Sequence, residues 1–220
     1  MPGTSETPNT TRQVSDVPSP RRLLSSSKVY EGRIWDVVSD EFQLTEDTDA
    51  LVRDYIDHPG AVAVLPMNVD GEVLLLKQYR HPVGMDLWEI PAGLLDIEGE
   101  DFVVGAAREL AEEADLVAAT WNVLVDFFNS PGSSSEAVRI YLARGLTDVP
   151  EADRHVRTDE EAEIELHWIP LEDAVRAVLE GRLHNPSAVL GILAAAAAKA
   201  DGFSSLRPAD APWPAHPSQR

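Results

Sequence analysis

Glu109, Glu112 and Glu113 stand three and four residues apart within Asp101–Ala114, a segment whose Val103, Ala107, Leu110 and Ala114 have helical apolar spacing. Side chains at such separations share a helix face. The pattern predicts a helix that packs one side on a sheet and presents three carboxylates from another. Like charges this close repel one another. Arg108, four residues before Glu112, supplies one cation against three anions. Hard divalent cations that take oxygen ligands, Mg²⁺, Mn²⁺ or Ca²⁺, would offset the rest. An ordinary solvated acidic helix face would use the same three residues. Pro91-Ala92-Gly93, a stiff residue followed by a permissive one, can bring a backbone carbonyl beside the acidic face.

Two further features carry chemistry. Arg80 ends an apolar strand-like run, where a guanidinium could grip phosphate oxygens through two parallel bonds. A surface arginine paired with one of the many acids is the plainer alternative. The run Thr158-Asp159-Glu160-Glu161-Ala162-Glu163 is an acidic loop ahead of a strand, able to supply a general base or simply to be solvated. The chain has no cysteine, which excludes thiolate nucleophiles, thiolate metal sites and disulfides.

The elements that must position these groups are mixed. Lys28–Leu44, Leu51–Asp57, Ala61–Met67, Glu72–Tyr79, Trp88–Ala92, Trp121–Phe128, Ala137–Leu142 and Ile164–Pro170 read as strands. His58-Pro59-Gly60 and Val69–Gly71 are turn signals between them. Besides the acidic helix, Leu171–Leu179 and the alanine-rich Ser187–Ala200 read as helices. The fold class is therefore mixed α/β, a mixed sheet sandwiched by helices. The 220 residues divide into a disordered tail 1–27, a strand region 28–57, a main domain 58–202 and a proline-rich C-terminal tail 203–220. The net charge of −20 argues against nucleic-acid and polybasic membrane-surface partners. No apolar run reaches the roughly 20 residues of a membrane span, and the first residues do not resemble a signal peptide. A cytoplasmic location is expected.

The segment from Gly93 to Leu116 resembles the Nudix box, through Gly93, Glu100, Arg108, Glu109, Leu110, Glu112, Glu113 and Leu116. It departs from that pattern twice. Six residues, Leu94 to Gly99, separate Gly93 from Glu100 where the pattern has five. Asp115 also stands where the pattern has glycine. Asp tolerates the left-handed conformation that ends a helix, at an electrostatic cost of about 0.3–1 kcal/mol for an anion there. The resemblance implies a Nudix-type α/β/α sandwich. It implies Mg²⁺ or Mn²⁺ held by Glu109, Glu112, Glu113 and the Ala92 carbonyl, with Glu100 and Arg108 as supporting residues. It further implies hydrolysis of a nucleoside diphosphate linked to another group.

Segments outside the box are similar to the ADP-ribose pyrophosphatase subgroup: Gly60–Val64, Gln78-Tyr79-Arg80, Leu87–Gly93, and Pro131 followed by Gly132 and Glu136. That similarity implies ADP-ribose as substrate, with AMP and ribose 5-phosphate as products. Arg80 would contact the pyrophosphate and Arg53 the adenosine side. Glu136 would bind the terminal ribose or hold its loop. Glu160, or the adjacent Glu161, would be the base. It also implies a homodimer built through Lys28–Leu51. Two other functions use the same features: cleavage of GDP-mannose, NADH or a dinucleoside polyphosphate, and a Nudix-like module that senses ADP-ribose without cleaving it.

Overall fold

The computed structural model describes residues 14–157 and 164–219. An N-terminal antiparallel sheet is formed by β1 (Arg22–Tyr30), β2 (Asp36–Gln43) and β3 (Leu51–Asp57), in that order. Then come β4 (Ala61–Pro66), β5 (Glu72–Arg80), β6 (Met85–Glu89) and β7 (Ala92–Leu94). They are followed by α1 (Phe102–Ala114), β8 (Leu116–Phe128), β9 (Ala137–Asp148) and β10 (Glu165–Pro170). The chain ends with α2 (Leu171–Leu179), α3 (Pro186–Lys199) and the short β11 (Arg207–Pro208). Among the described residues no helix is long and apolar enough to cross a membrane.

The main sheet has the order β11-β8-β9-β4-β7 and is mixed: β4 and β9 run parallel, and the other pairings are antiparallel. A smaller antiparallel sheet, β10-β5-β6, stands beside it. Strand β4 shows why the layers form. Successive side chains of a strand point to opposite faces. Val62 and Val64 pack with Ala106, Leu110 and Ala114 of α1, while Ala63 and Leu65 pack with Ala188, Ile192 and Ala195 of α3. Both faces of the sheet are covered, so the strand reads as a continuous apolar run. The α/β/α sandwich expected from the sequence is the observed architecture.

Three expectations change. The buried stripe of α1 is Ala106, Leu110 and Ala114, with Ala107 only partly buried, and Glu109 and Glu113 are buried with it. The acids thus do not form a separate solvated face: the helix rolls toward β7 until they lie under the Ala92-Gly93 strand. Among the described residues, regular secondary structure begins at Arg22, inside the segment expected to be a tail, because β1 pairs along its length with β2. All nine residues of β1 are exposed, so no buried face marks it in the sequence.

The C-terminal segment docks on the body as well. β11 pairs with β8, and Trp213 and His216 are buried. A proline-rich segment lacks N–H donors but keeps its carbonyls. Arg139, 1% exposed on β9, uses them: its guanidinium donates to Ala211 O at 2.7 Å and Pro212 O at 3.3 Å.

Candidate active site

A cleft of about 940 Å³ opens where β7, α1, the end of β5, the start of β9 and the N-terminus of α3 meet. Its size lies within the range of small-molecule sites. Glu109, Glu112 and Glu113 line it, together with Ala92, Gly93, Arg80, Glu89, Arg108 and Glu136. The structure therefore gathers most of the residues singled out from the sequence.

The turn before α1 holds the acids in place. The Ala92 N–H donates to Glu113 Oε2 at 2.9 Å. Pro91 O accepts from Val64 N–H at 2.8 Å, which ties the turn to β4. At Gly93 a Cβ would lie 2.0 Å from the Glu109 carboxylate, so the absence of a side chain leaves the space that this carboxylate occupies. The additional residue between Gly93 and Glu100 is absorbed by a turn in which Glu100 N–H donates to Ile97 O and Gly99 takes φ +79°. Glu100 still reaches Arg108.

Arg108 is the hub of the box. It contacts both Glu100 oxygens at 3.2 and 3.3 Å, Glu109 at 2.5 Å and Glu112 at 3.4 Å. The Glu100 hydrogen bonds, reinforced by the Glu109 charge, push its pKa up against the opposing effect of burial, so it stays cationic. Across the cleft Arg80 forms a two-pronged pair with the buried Glu89, at 2.9 and 2.7 Å. That pair aims a guanidinium from the end of β5 into the cleft.

The remaining sequence candidates fall in different places. Glu136 lines the cleft beside Asn129 and His58. Pro131 is exposed in the loop that leads to Glu136 and does not line the cleft. Arg53 is exposed on β3, donates to its neighbour Val52 O, and is also outside the cleft. Glu160 and Glu161 lie outside the described residues.

Several lining residues were not singled out. Ile34 and Trp35 come from the β1–β2 connection. His58 reads from the sequence only as part of a turn, and His155 carries no signal there. Asn185 is legible in retrospect as the cap of α3: its side chain accepts from Ala188 N–H, with Pro186 at the first helical position.

Asp115 ends α1 in the left-handed conformation, φ 54° and ψ 34°. Its charge is answered by Arg157, which donates to Asp115 Oδ2 at 2.6 Å and to Glu112 O at 3.1 Å. A cation thus restores the favourable sign at the helix C-terminus. Arg157→Ala is expected to cost about 1–2 kcal/mol in urea unfolding. In an Asp115→Gly background the cost should fall to about half, since only the Glu112 carbonyl bond remains to be lost. Equal costs in both backgrounds would show that the Asp115 charge plays no part.

The donor set fits a hard divalent cation. Six carboxylates line the cleft (Glu89, Asp96, Glu109, Glu112, Glu113 and Glu136) against two guanidiniums, Arg80 and Arg108. Glu109 and Glu113 are 8% and 7% exposed, and buried carboxylates of like charge call for a cation. Among the described residues no three Asp, Glu or His side chains converge into a ready-made cage. Mg²⁺ does not require one, because it keeps several waters and commonly binds through one or two carboxylates plus substrate phosphates.

The chain is 42% identical over 190 residues to an ADP-ribose pyrophosphatase of Mycobacterium tuberculosis, covering 86% of the chain and 89% of that protein. It is 34% identical to an ADP-ribose pyrophosphatase of Bacillus subtilis, over 71% of the chain and 82% of the relative. It is 30% identical to a methanol dehydrogenase activator of Bacillus methanolicus, over 78% and 90% respectively. A solved structure titled as an ADP compounds hydrolase superimposes with a TM-score of 0.69 at 21% identity, covering 86% of the chain and 99% of that structure, and so supports the fold. The sequence model of the NUDIX domain matches residues 57–189, a span that contains the whole Gly93–Leu116 segment and nearly all of the cleft, and the chain belongs to the NUDIX domain family.

Proposed function

We propose that the chain is a divalent-metal-dependent pyrophosphatase that hydrolyses ADP-ribose to AMP and ribose 5-phosphate. The observation that carries this reading is the pair of walls in one cleft: the buried carboxylates of α1 on one side and the Arg80 guanidinium, fixed by Glu89, on the other. The ADP-ribose pyrophosphatases among the relatives favour this substrate.

Glu109, Glu112, Glu113 and the Ala92 carbonyl would hold Mg²⁺ or Mn²⁺. When bound, the cation neutralises phosphoryl charge and makes a bound water more acidic. Arg80 would grip the pyrophosphate oxygens. The N-terminus of α3, at Asn185–Ser187 in the cleft wall, favours negative charge through its dipole. Arg108 holds the carboxylates of Glu109 and Glu112 in register. Glu160, or Glu161, would take the proton of the attacking water. The side chains of Ile34 and Trp35 offer an apolar surface for the flat base. Arg53 lies outside this chain's own cleft and would contact substrate only across a dimer. That dimer would form through the N-terminal sheet, where Leu23, Leu24, Val29, Tyr30 and Val52 are exposed. A cytoplasmic location accompanies this assignment.

The test is a substrate panel with purified protein and Mg²⁺. ADP-ribose is expected to give the highest kcat/KM, above GDP-mannose and NADH. A higher value for either competitor would reassign the substrate within the family. Binding of ADP-ribose without cleavage would instead support a sensing module.

A further inference from the structure

We propose that a cavity beside Trp88 is a second ligand site, separate from the catalytic cleft, that takes a small aromatic carboxylic acid. It has a volume of about 390 Å³ and lies between α2 and the small sheet β10-β5-β6. Among the described residues its lining shares none with the catalytic cleft. The two sites stand on opposite sides of β6. Consecutive side chains of a strand point to opposite faces, so Glu89 lines the cleft while Trp88 lines the cavity. Neither the cavity nor its occupant depends on the reaction performed in the cleft.

The floor is apolar. Trp88 pairs with Lys77 and His167 with Leu75, so Leu75, Trp88, His167 and Ile169 share one face of the sheet. Ala174 and Ala177 of α2 pack over that face, and both are buried. Their small side chains leave the space: longer ones at these two positions would fill it. Leu183, also buried, closes the far end. The His167 ring meets the Trp88 indole edge-on at 5.1 Å and 75°, which fixes the indole as one wall.

The rim is cationic. Arg176 and Arg182 line it against one carboxylate, Asp173. In the catalytic cleft the balance is reversed, with six carboxylates against two guanidiniums. The place of Arg182 is built into the end of α2. Gly181 takes φ +71° there, its N–H donates to Val178 O at 3.0 Å, and Arg182 N–H folds back to Ala177 O at 2.9 Å. A helix end closed in this way satisfies its last carbonyls and turns the chain away from the helix axis. Glu180 Oε2 then accepts from Arg182 Nε at 2.9 Å and from Nη2 at 2.8 Å. That pair orients the guanidinium and leaves Nη1, with its two N–H groups, for another acceptor.

The lining selects its occupant. A volume near 390 Å³ is at the small end of ligand sites and suits one or two fused rings. A flat ring packs against the indole and the aliphatic floor. A carboxylate on that ring reaches the rim, where a guanidinium binds it through charge-assisted hydrogen bonds. A cation would be repelled by the two arginines. A phosphate dianion would meet the Asp173 charge twice as strongly as a carboxylate does.

The experiment is equilibrium dialysis of the full chain against 2-naphthoate and its neutral analogue 2-naphthamide. Wild type should bind 2-naphthoate at one saturable site with a Kd of about 0.1–1 mM. The amide should bind at least about fivefold more weakly, since it keeps the rings and loses the charge. Arg182→Gln should weaken 2-naphthoate about tenfold, and Ala177→Leu, which fills the cavity, should abolish saturable binding. ADP-ribose should not displace the acid. Should Ala177→Leu fail to fold, the exposed double substitution Arg176→Gln with Arg182→Gln gives the same readout. No saturable binding up to about 10 mM would overturn the proposal. So would equal affinity for the amide, unchanged affinity in the variants, or displacement by ADP-ribose, which would place the acid in the catalytic cleft.

Discussion

Glu113→Gln is expected to lower kcat for ADP-ribose by about 10²–10³-fold, the few kcal/mol that a correctly held cation supplies to a phosphoryl transition state. The substitution is close to isosteric. The amide oxygen can still accept from Ala92 N–H, as Glu113 Oε2 does at 2.9 Å. What is lost is the charge. Mn²⁺ affinity, read by electron paramagnetic resonance, should fall by about 10–100-fold.

Stability of the metal-free protein should move the other way or not at all. Glu109 and Glu113 are buried four residues apart on α1, and neutralising one relieves their repulsion. An active site of this kind carries a standing destabilisation that its ligand offsets. A Glu113→Gln protein with unchanged kcat and unchanged Mn²⁺ affinity would remove Glu113 from the metal-binding set. One with both properties lost and a much lower Tm would point to a structural role.

The second large effect is on stability. Arg139→Leu should cost about 3–5 kcal/mol, as breaking a buried charge pair does. Arg139 donates to Asp126 through Nε at 2.8 Å and Nη2 at 3.1 Å. It also donates to the two C-terminal carbonyls of Ala211 and Pro212. Its guanidinium lies 4.7 Å from the centre of the Trp213 ring and 5.8 Å from that of Phe102, the first residue of α1. One side chain thus joins the central sheet, the C-terminal segment and the start of the box helix. Arg207 also donates to Asp126, at 2.7 Å, and would stay as its partner in the variant, which places the cost below that of an isolated buried charge. Arg139→Lys should be intermediate, since an ammonium cannot form the two-pronged pair and stack on the indole together. Urea unfolding measures the cost, and limited proteolysis should release the C-terminal segment first. A loss under about 1 kcal/mol would show that the segment docks by other contacts.

How much of this was legible differs from element to element, for physical reasons. β3, α2 and the body of α1 follow from local apolar spacing and end where the sequence signals place them. The Nudix box was legible because its chemistry demands fixed residue types at fixed spacing. Glu109 and Glu113 were misplaced on the helix because a polarity pattern counts a carboxylate as outward-facing. Here the demands of the site override that preference.

The C-terminal segment was misread because its prolines prevent any periodic signal. Its anchors, Trp213 and the carbonyls bonded to Arg139, are tertiary contacts. β1 was missed in part because it buries nothing within this chain. The Asp115–Arg157 pair joins residues far apart in the sequence, and only the fold brings them together. His58 has the sequence signature of turn punctuation beside Pro59, and only the fold sets the Gly60 amide and Glu136 on either side of its ring.

A cation held by the acidic wall of α1 would make cleavage of ADP-ribose in this cleft depend on a divalent metal. That dependence is tested most directly by incubating the full chain with ADP-ribose across a Mg²⁺ titration, with an EDTA arm, and resolving the products by chromatography. AMP and ribose 5-phosphate are expected in equal amounts, rising with Mg²⁺ and absent with EDTA. ADP-ribose remaining intact at saturating Mg²⁺, or cleaved equally well in EDTA, would contradict it.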